Sequence, residues 1–219
     1  MHRSIEPIEL TLYHDVLCGW SFLADERLSL LCEEFEPLLR LRLRPFAVRV
    51  EPRIPTRWEC ASEASALRKV GREPEGRGIV PDLWRSVDPP RSSLPPLVAL
   101  QAATIVGGQR GMRRMLSELR RAALFRGINV SRDDVILEVA ESCGLDMHRF
   151  ANAFFSDHTR RVVLDQYEEA LARGIDSVPT LIVGDEWMLS GARSVAEYRA
   201  TIRRFIRQQG LRMPERIVH

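Results

Sequence analysis

The sequence predicts an α/β protein in which a βαβ unit and an αββα unit flank a mostly helical insertion. Two observations predict the α/β part: segments of strand character occur near both ends of the chain, and helix-like segments adjoin them. A third predicts the insertion, because the middle of the chain has helical periodicity after a proline-rich stretch. We expect residues 1–50 and 157–219 to form one domain and residues 51–156 to form the inserted one.

The first unit begins with a strand at residues 8–14, where IELTLYH alternates apolar and polar side chains. Ser21 is the expected N-cap of a helix that runs to about Phe35, with apolar side chains at helical spacing. Residues 39–48 (LRLRLRPFAV) alternate leucine with arginine and predict the second strand.

The insertion opens with a loosely patterned stretch at residues 51–96. An irregular stretch of this length within a compact domain predicts a lid or a substrate-facing region, with a short helix at about residues 59–70. Ser131 and Asp134 resemble a capping box at the start of one later helix. The helices expected beyond the loop span about residues 97–107, 111–125, 131–143 and 146–156.

The last unit returns to β structure after one more helix. That helix spans residues 157–173 and is ended by Gly174. Residues 178–183 (VPTLIV) and 187–189 predict the two strands of a hairpin. Ser194 is the expected N-cap of a final helix that ends near Gln209.

Composition and charge exclude several classes of protein. The formal net charge is only +2, and no long basic run stands apart, so a nucleic-acid surface is not expected. Glu6, Pro7 and Glu9 interrupt the N-terminal segment, which therefore lacks the apolar core of a signal peptide. No stretch approaches the roughly 18 apolar residues of a membrane helix. We expect a cytoplasmic protein that binds neither nucleic acid nor membrane.

The cysteines and histidines show no metal-binding pattern. None of the cysteines forms a C-x-x-C pair, and in a reducing compartment a disulfide framework is not expected. The histidines lack H-x-x-x-H and H-E-x-x-H spacing, so no metal site is expected. The residues concerned are Cys18, Cys32, Cys60, Cys143, His2, His14, His148, His158 and His219.

Cys18 is the strongest candidate for a reactive side chain. It lies between the first strand and the first helix, in HDVLCGWSF, and a helix N-terminus stabilises a thiolate and lowers the pKa of a cysteine. Cys32 is expected in the core, and Cys60 and Cys143 are expected to be inert. Two alternatives stay open here: a bridge between Cys18 and Cys60, and pairing of His14 with the thiolate, against a purely structural histidine.

A second signal is Ser177-Val178-Pro179-Thr180, which opens the third strand. Proline donates no ladder hydrogen bond, so it is tolerated at the first residue of a strand, and this pattern alone requires no special function.

The two signals together resemble the DsbA-like oxidoreductase family of the thioredoxin superfamily, particularly its cytoplasmic branch. The resemblance is carried by DVLCGWSFLADERL, RPFAV and ARGIDSVPTLIVGDEWMLSGARSVAEY, and it covers nearly the whole chain. It implies a thioredoxin-like fold with a mostly helical insertion between its halves.

The resemblance also implies roles for individual residues. Cys18 matches the attacking cysteine of the family's C-x-x-C motif, and Pro179 matches its cis-proline loop. A cis bond there implies that the Val178 backbone pairs with an extended substrate or glutathione, and Thr180 follows in the family pattern. Ser21 departs from the pattern, because it stands where the resolving cysteine would be.

Ser21 limits the implied mechanism. Dithiol exchange needs a second cysteine to resolve a mixed disulfide, so Cys18 would need an external thiol, for which glutathione is the obvious candidate. The Ser21 hydroxyl could donate a hydrogen bond to the thiolate. Trp20 is either a flat apolar wall beside the sulfur or a packed residue of the helix start.

Three functions follow from the resemblance. The first is a cytoplasmic thiol-disulfide oxidoreductase with a single active thiol, no tightly bound cofactor, and glutathione as co-substrate. The second is a glutathione-dependent transferase or isomerase of the kappa-class and 2-hydroxychromene-2-carboxylate isomerase type, relatives that carry a serine where Cys18 stands. The third is a non-catalytic protease adaptor. The expected partner is a thiol or disulfide substrate, and the oligomeric state stays open.

Overall fold

The computed structural model of the protein describes residues 6–211. One mixed sheet contains β1 (Ile8–His14), β2 (Leu39–Pro45), β3 (Thr180–Val183) and β4 (Trp187–Ser190) in the order β2-β1-β3-β4. β1 runs parallel to β2, and β3 is antiparallel to β1 and β4. The predicted order of a βαβ unit, a helical insertion and an αββα unit is confirmed.

The helices cover both faces of this sheet and fill the insertion. In chain order they are α1 (Gly19–Glu34), α2 (Arg57–Val70), a 3-10 turn (Asp82–Trp84), α3 (Leu94–Arg120), a π-helical turn (Arg121–Phe125), α4 (Asp133–Ser142), α5 (Met147–Phe154), α6 (Asp157–Ala172) and α7 (Val195–Gln208).

β1 lies in the middle of the fold, and its alternate side chains enter different clusters. Leu10 and Leu12 are buried with side chains of α1 and α7. Tyr13 belongs to a cluster with Phe46 and with Ala170 of α6. Since side chains alternate along a strand, α1 and α7 cover one face of the sheet and α6 lies on the other.

The insertion is built around α3, which packs against α4, α5 and α6. Gly108 adopts φ 61° and ψ −160° and interrupts α3, which is where the sequence predicts a break between two helices. The core of the insertion extends to Val16 and Leu17. The loop that leads to Cys18 is therefore packed against the insertion as well as joined to the sheet.

Two predicted helix starts are wrong. Cys18, not Ser21, is the N-cap of α1, and Ser21 lies buried inside the first helical turn. The predicted capping box at Ser131 is also absent, because Arg132 is the N-cap of α4. The Ser131 hydroxyl donates to the carbonyl of Ser92, and Asp134 forms an ion pair with Arg132. Instead of capping a helix, the Ser21 hydroxyl bonds with Asp15 and the Ser131 hydroxyl bonds with Ser92.

Residues 6–211 contain no helix with the length and apolar character needed to cross a membrane. In the same range, no group of three or more His, Cys, Asp or Glu side chains is arranged to hold a metal ion. His2 and His219 lie outside the described residues.

Candidate functional site

Cys18 lies at the junction of the sheet and the first helix. It is the N-cap of α1 with φ −85° and ψ 110°, and its side chain is half-buried. The preceding loop turns sharply, since the Cys18 N–H donates to the carbonyl of Asp15 at 3.3 Å. The sulfur is therefore held at the N-terminus of a 16-residue helix.

The Pro179 loop faces Cys18 across this junction. The Val178–Pro179 peptide bond is cis, and the Cys18 thiol lies 3.8 Å from the carbonyl oxygen of Val178. The Thr180 hydroxyl donates to the carbonyl of Ser177 at 2.8 Å, and Gly191 N–H donates to the carbonyl of Pro179 at 2.8 Å. These bonds hold the loop against β4, so the structure brings Cys18 and Val178 together.

Ser21 and Trp20 have different surroundings. Ser21 is completely buried, and its Oγ accepts a bond from Asp15 N–H at 3.5 Å. Trp20 is half-buried and packs against the core of the insertion. Trp20 is not among the described residues that line the cleft beside Cys18, so it does not form a wall of that cleft.

Burial raises the pKa of the Cys18 thiol, contrary to the lowering that we expected from its place at a helix start. Hydrogen bonds from the side chain and backbone of Ser21 oppose this rise. The carboxylates of Asp15 and Glu63 add to it, because negative charge nearby disfavours a thiolate. Burial and these two carboxylates therefore act against the stabilisation of a thiolate by the helix end.

Asp15 is a site residue to which sequence reasoning assigned no role. Its two carboxylate oxygens accept bonds from Leu17 N–H and Val48 N–H, each at 2.8 Å. It thereby joins the loop before Cys18 to the segment after β2. The side chain is buried, and burial raises the pKa of its carboxyl group. The sequence feature that could have indicated this role is D-x-x-C, which places Asp15 directly after the buried strand β1 and three residues before Cys18.

A cleft of about 380 Å³ opens beside the Cys18 sulfur. Its walls come from the Cys18 loop, the segment after β2, α2, the irregular part of the insertion, α6 and the Pro179 loop. The residues that line it include Asp15, Cys18, Phe46, Val48, Arg49, Glu63, Trp84, Ser92, Ser93, Tyr167, Leu171, Asp176, Ser177 and Val178. The insertion therefore forms one side of the candidate active site.

The other cysteines and His14 do not complete this site. All four cysteines are free thiols, including Cys60, so no bridge joins Cys60 to Cys18. Burial raises the pKa of Cys32 to about 11. Burial, reinforced by Arg120, lowers the pKa of His14 to about 3, which keeps its imidazole neutral and unsuited to pair with a thiolate. Of the two alternatives for His14, a structural histidine agrees with its burial and its lowered pKa.

The chain is similar to proteins with several different assigned roles. It is 27% identical over 182 residues to the ClpXP adapter protein SpxH of Halalkalibacterium halodurans, an alignment covering 81% of this chain but only 58% of that relative. The cytosolic disulfide reductase DsbM of Pseudomonas aeruginosa, solved with GSH, has 23% identity and a TM-score of 0.69, covering 91% of this chain and 99% of that one.

A 2-hydroxychromene-2-carboxylate isomerase structure is equally similar in shape, with 19% identity, a TM-score of 0.69, and coverage of 92% of this chain and 98% of that one. At these identities the two structures show a shared fold. A family model described as a DSBA-like thioredoxin domain matches residues 9–203, from β1 into α7. Because that match includes both the Cys18 junction and the Pro179 loop, this chain belongs to the DSBA-like thioredoxin domain family.

Proposed function

We propose that the protein is a thiol-disulfide oxidoreductase that works through the single thiol of Cys18, with glutathione as its external thiol. The observation that carries this proposal is the placement of the Cys18 sulfur, at the start of α1, in the wall of a cleft and 3.8 Å from the Val178 carbonyl. A sulfur in this position is open to a disulfide that enters the cleft.

The reaction consumes one molecule of free glutathione for each glutathione-protein mixed disulfide. The Cys18 thiolate attacks a glutathione-protein mixed disulfide at the glutathione sulfur, and the protein thiol leaves with a proton. Cys18 now carries the glutathionyl group. A second glutathione thiolate attacks that sulfur, which restores the Cys18 thiol and releases oxidised glutathione. The protein sulfur is thereby reduced and the sulfur of the incoming glutathione is oxidised, while the transferred glutathionyl sulfur stays in a disulfide throughout.

An external thiol is required because Ser21 stands at the resolving position. Among the described residues that line the cleft, Cys18 is the one thiol. A neighbour of similar fold that is named as a cytosolic disulfide reductase and was solved with GSH supports this choice of thiol and a cytoplasmic location.

The backbone of Val178 is suited to hold the substrate. Its carbonyl accepts only the weak bond from the Cys18 thiol, and no partner for its N–H occurs within residues 6–211. An extended peptide or the glutathione backbone can pair with these two groups. Pro179 and Thr180 hold the segment in place through the bonds to Gly191 and Ser177.

The experiment is glutathione-dependent reduction of bis(2-hydroxyethyl) disulfide, coupled to NADPH oxidation by glutathione reductase. We expect the wild type and Cys60→Ser to be active and Cys18→Ser to be inactive. Intact-mass measurement after treatment with oxidised glutathione should show one glutathionyl group, located on Cys18. Full activity in Cys18→Ser, or labelling of a different cysteine, would contradict the proposal.

A glutathione-dependent transferase or isomerase is the second candidate, favoured by the apolar side chains Phe46, Val48 and Leu171 in the cleft walls. Conjugation of glutathione to 1-chloro-2,4-dinitrobenzene, with no disulfide reduction, would favour it. The adaptor role named for one relative predicts partner binding that Cys18→Ala leaves unchanged.

A further inference from the structure

A second cavity shares the Trp84 side chain with the cleft. This cavity, of about 590 Å³, lies between α2 and the 3-10 turn, and its lining includes Ile54, Arg57, Arg68, Arg85 and Val87. We call it the arginine groove. The Trp84 side chain lines both the groove and the cleft. The buried Trp84 side chain is therefore a wall that the groove and the cleft share, and the two depressions are neighbours.

The groove and the cleft have opposite charge. Arg57, Arg68 and Arg85 are exposed, and no Asp or Glu occurs among the described residues that line the groove. Within residues 6–211, none of these three arginines is in an ion pair with a carboxylate.

Neither acidic side chain of α2 is in an ion pair with these arginines. Glu59 forms an ion pair with Arg53 and a longer one, at 3.7 Å, with Arg49. Glu63 lines the cleft, together with Asp15 and Asp176, whereas Arg49 is the cation there. The groove is thus positively charged beside an acidic cleft.

Apolar side chains are exposed along the same path. Ile54 is 71% exposed and Val87 is fully exposed in the groove, and Val48 and Leu171 are exposed at the cleft. Exposed apolar side chains grouped around one depression mark a binding surface more often than scattered ones do. The groove therefore offers both apolar contact and positive charge.

We propose that the arginine groove binds the polypeptide substrate itself, through a segment with acidic and apolar side chains beside the disulfide-bonded cysteine. This inference rests on the proposed function, because the cysteine of that segment must lie at Cys18. The arginines, which are unpaired within residues 6–211, favour acidic side chains in the occupant. Because the groove shares Trp84 with the cleft, an occupant whose cysteine lies at Cys18 must extend beyond the cleft to fill it. Glutathione alone, a tripeptide held beside Cys18, would leave the groove empty.

The test compares two short peptides, each joined to glutathione through its one cysteine. The acidic peptide carries leucine and glutamate on both sides of the cysteine, and the neutral peptide carries glutamine in place of each glutamate. We expect the wild type to deglutathionylate the acidic peptide with about tenfold higher kcat/KM, since an exposed ion pair contributes a factor of about two to five. The preference should shrink as salt is raised.

The matched variants locate the effect. The groove variant combines Arg57→Gln, Arg68→Gln and Arg85→Gln. It should lose the preference for the acidic peptide and reduce bis(2-hydroxyethyl) disulfide at the wild-type rate. The control combines Arg40→Gln, Arg110→Gln and Arg160→Gln, which remove three exposed arginines elsewhere, and should keep the preference. Equal rates for the two peptides in the wild type, or a preference that survives in the groove variant, would overturn the proposal.

A binding measurement separates this inference from the proposed function. Fluorescence anisotropy follows the labelled acidic peptide with serine in place of its cysteine, so no thiol chemistry is involved. Binding to the wild type and not to the groove variant supports the groove even if Cys18 proves inactive. A groove variant that instead raises the KM for glutathione, or changes the oligomeric state in sedimentation, would assign the arginines to a different occupant and overturn the proposal.

Discussion

The Sγ atom of Cys18 lies 3.8 Å from the carbonyl oxygen of Val178, and the thiol is the donor. A bond of this kind exists only while the sulfur is protonated, so it opposes ionisation in the same direction as burial does. We therefore predict that the pKa of the Cys18 thiol exceeds the value of about 8.5 for a free cysteine. The measurement is the pH dependence of iodoacetamide alkylation, resolved at the Cys18 peptide by mass spectrometry.

The control for this titration is reduced glutathione in the same tube, alkylated under the same conditions. The rate at Cys18 should still rise where the rate at glutathione has begun to level off. If the alkylation rate at Cys18 levels off at a lower pH than the rate at glutathione does, the helix N-terminus has a larger effect on the Cys18 pKa than burial.

Glu63 offers a way to move this pKa without touching the sulfur. Its carboxylate raises the pKa of Cys18 through its charge, and burial raises the pKa of Glu63 itself. Glu63→Gln should therefore lower the pKa of Cys18 and speed its alkylation at pH 7.5. Glu138→Gln, an exposed change on α4, is the control and should leave the rate unaltered. An unchanged rate in Glu63→Gln would show that its charge does not reach the sulfur.

Restoring a second thiol should change how the mixed disulfide is resolved. In Ser21→Cys the new thiol occupies the C-x-x-C position relative to Cys18, from which it can attack the Cys18 sulfur and expel glutathione. After treatment with oxidised glutathione, the wild type should retain one glutathionyl group and the variant should contain an internal disulfide, as read by intact mass. Cys60→Ser in both proteins serves as the control background. A variant that retains the glutathionyl group would contradict this mechanism.

Local periodicity predicted most of the fold because the pattern extends over whole elements. β1 has its expected bounds, and Gly108 breaks α3 where helical spacing is interrupted. The errors at Ser21 and Ser131 come from tertiary contacts with Asp15 and Ser92, which local reasoning does not include.

The closeness of Cys18 to the Pro179 loop was predictable from the sequence, whereas the direction of the Cys18 pKa shift was not. The expected lowering of the Cys18 pKa rested on the helix end alone, a local effect. Two of the opposing effects depend on residues distant in sequence: Glu63 acts on the sulfur from α2, and Asp15, although near Cys18 in the chain, is held by Val48 N–H, 33 positions away. The burial that raises the Cys18 pKa arises only in the folded chain, where the Cys18 loop, the insertion, α6 and the Pro179 loop together form the cleft.

His14 should make the stability of the protein depend on pH. Burial lowers its pKa to about 3 in the folded state, against about 6.5 when unfolded. Between pH 6.5 and about pH 3, His14 is protonated in the unfolded state but neutral in the folded state. The free energy of unfolding therefore falls as the pH is lowered through this range. From pH 7 to pH 5, His14 alone should account for a loss of about 2 kcal/mol, measured by urea denaturation.

The variant His14→Phe removes this titration and should flatten the stability between pH 7 and pH 5 relative to the wild type. His158→Gln, an exposed histidine on α6, should keep the full dependence. An identical loss of stability in His14→Phe and in the wild type would assign the pH dependence to other groups.

Asp25 should be among the least replaceable charged residues of the fold. Its carboxylate accepts bonds from Arg120 at 2.5 Å and Arg113 at 2.8 Å, and Arg120 is only 4% exposed. Asp25→Ala would leave the buried Arg120 guanidinium without its carboxylate, at an expected cost of about 3–5 kcal/mol in urea denaturation. Asp165→Ala removes the exposed pair with Arg161 and should cost about 1 kcal/mol or less.

A double replacement distinguishes a structural ion pair from a site that tolerates change. In Asp25→Leu combined with Arg120→Met, no buried charge is left unpaired, so we expect most of the stability lost in Asp25→Ala to return. Stability in Asp25→Ala within about 1 kcal/mol of the wild type would show that Arg120 reaches water or the carbonyl of Ser21 instead. Because α1 carries both Cys18 and Asp25, the thiol titration repeated on the double variant shows whether anchoring of α1 to α3 also holds the sulfur in place.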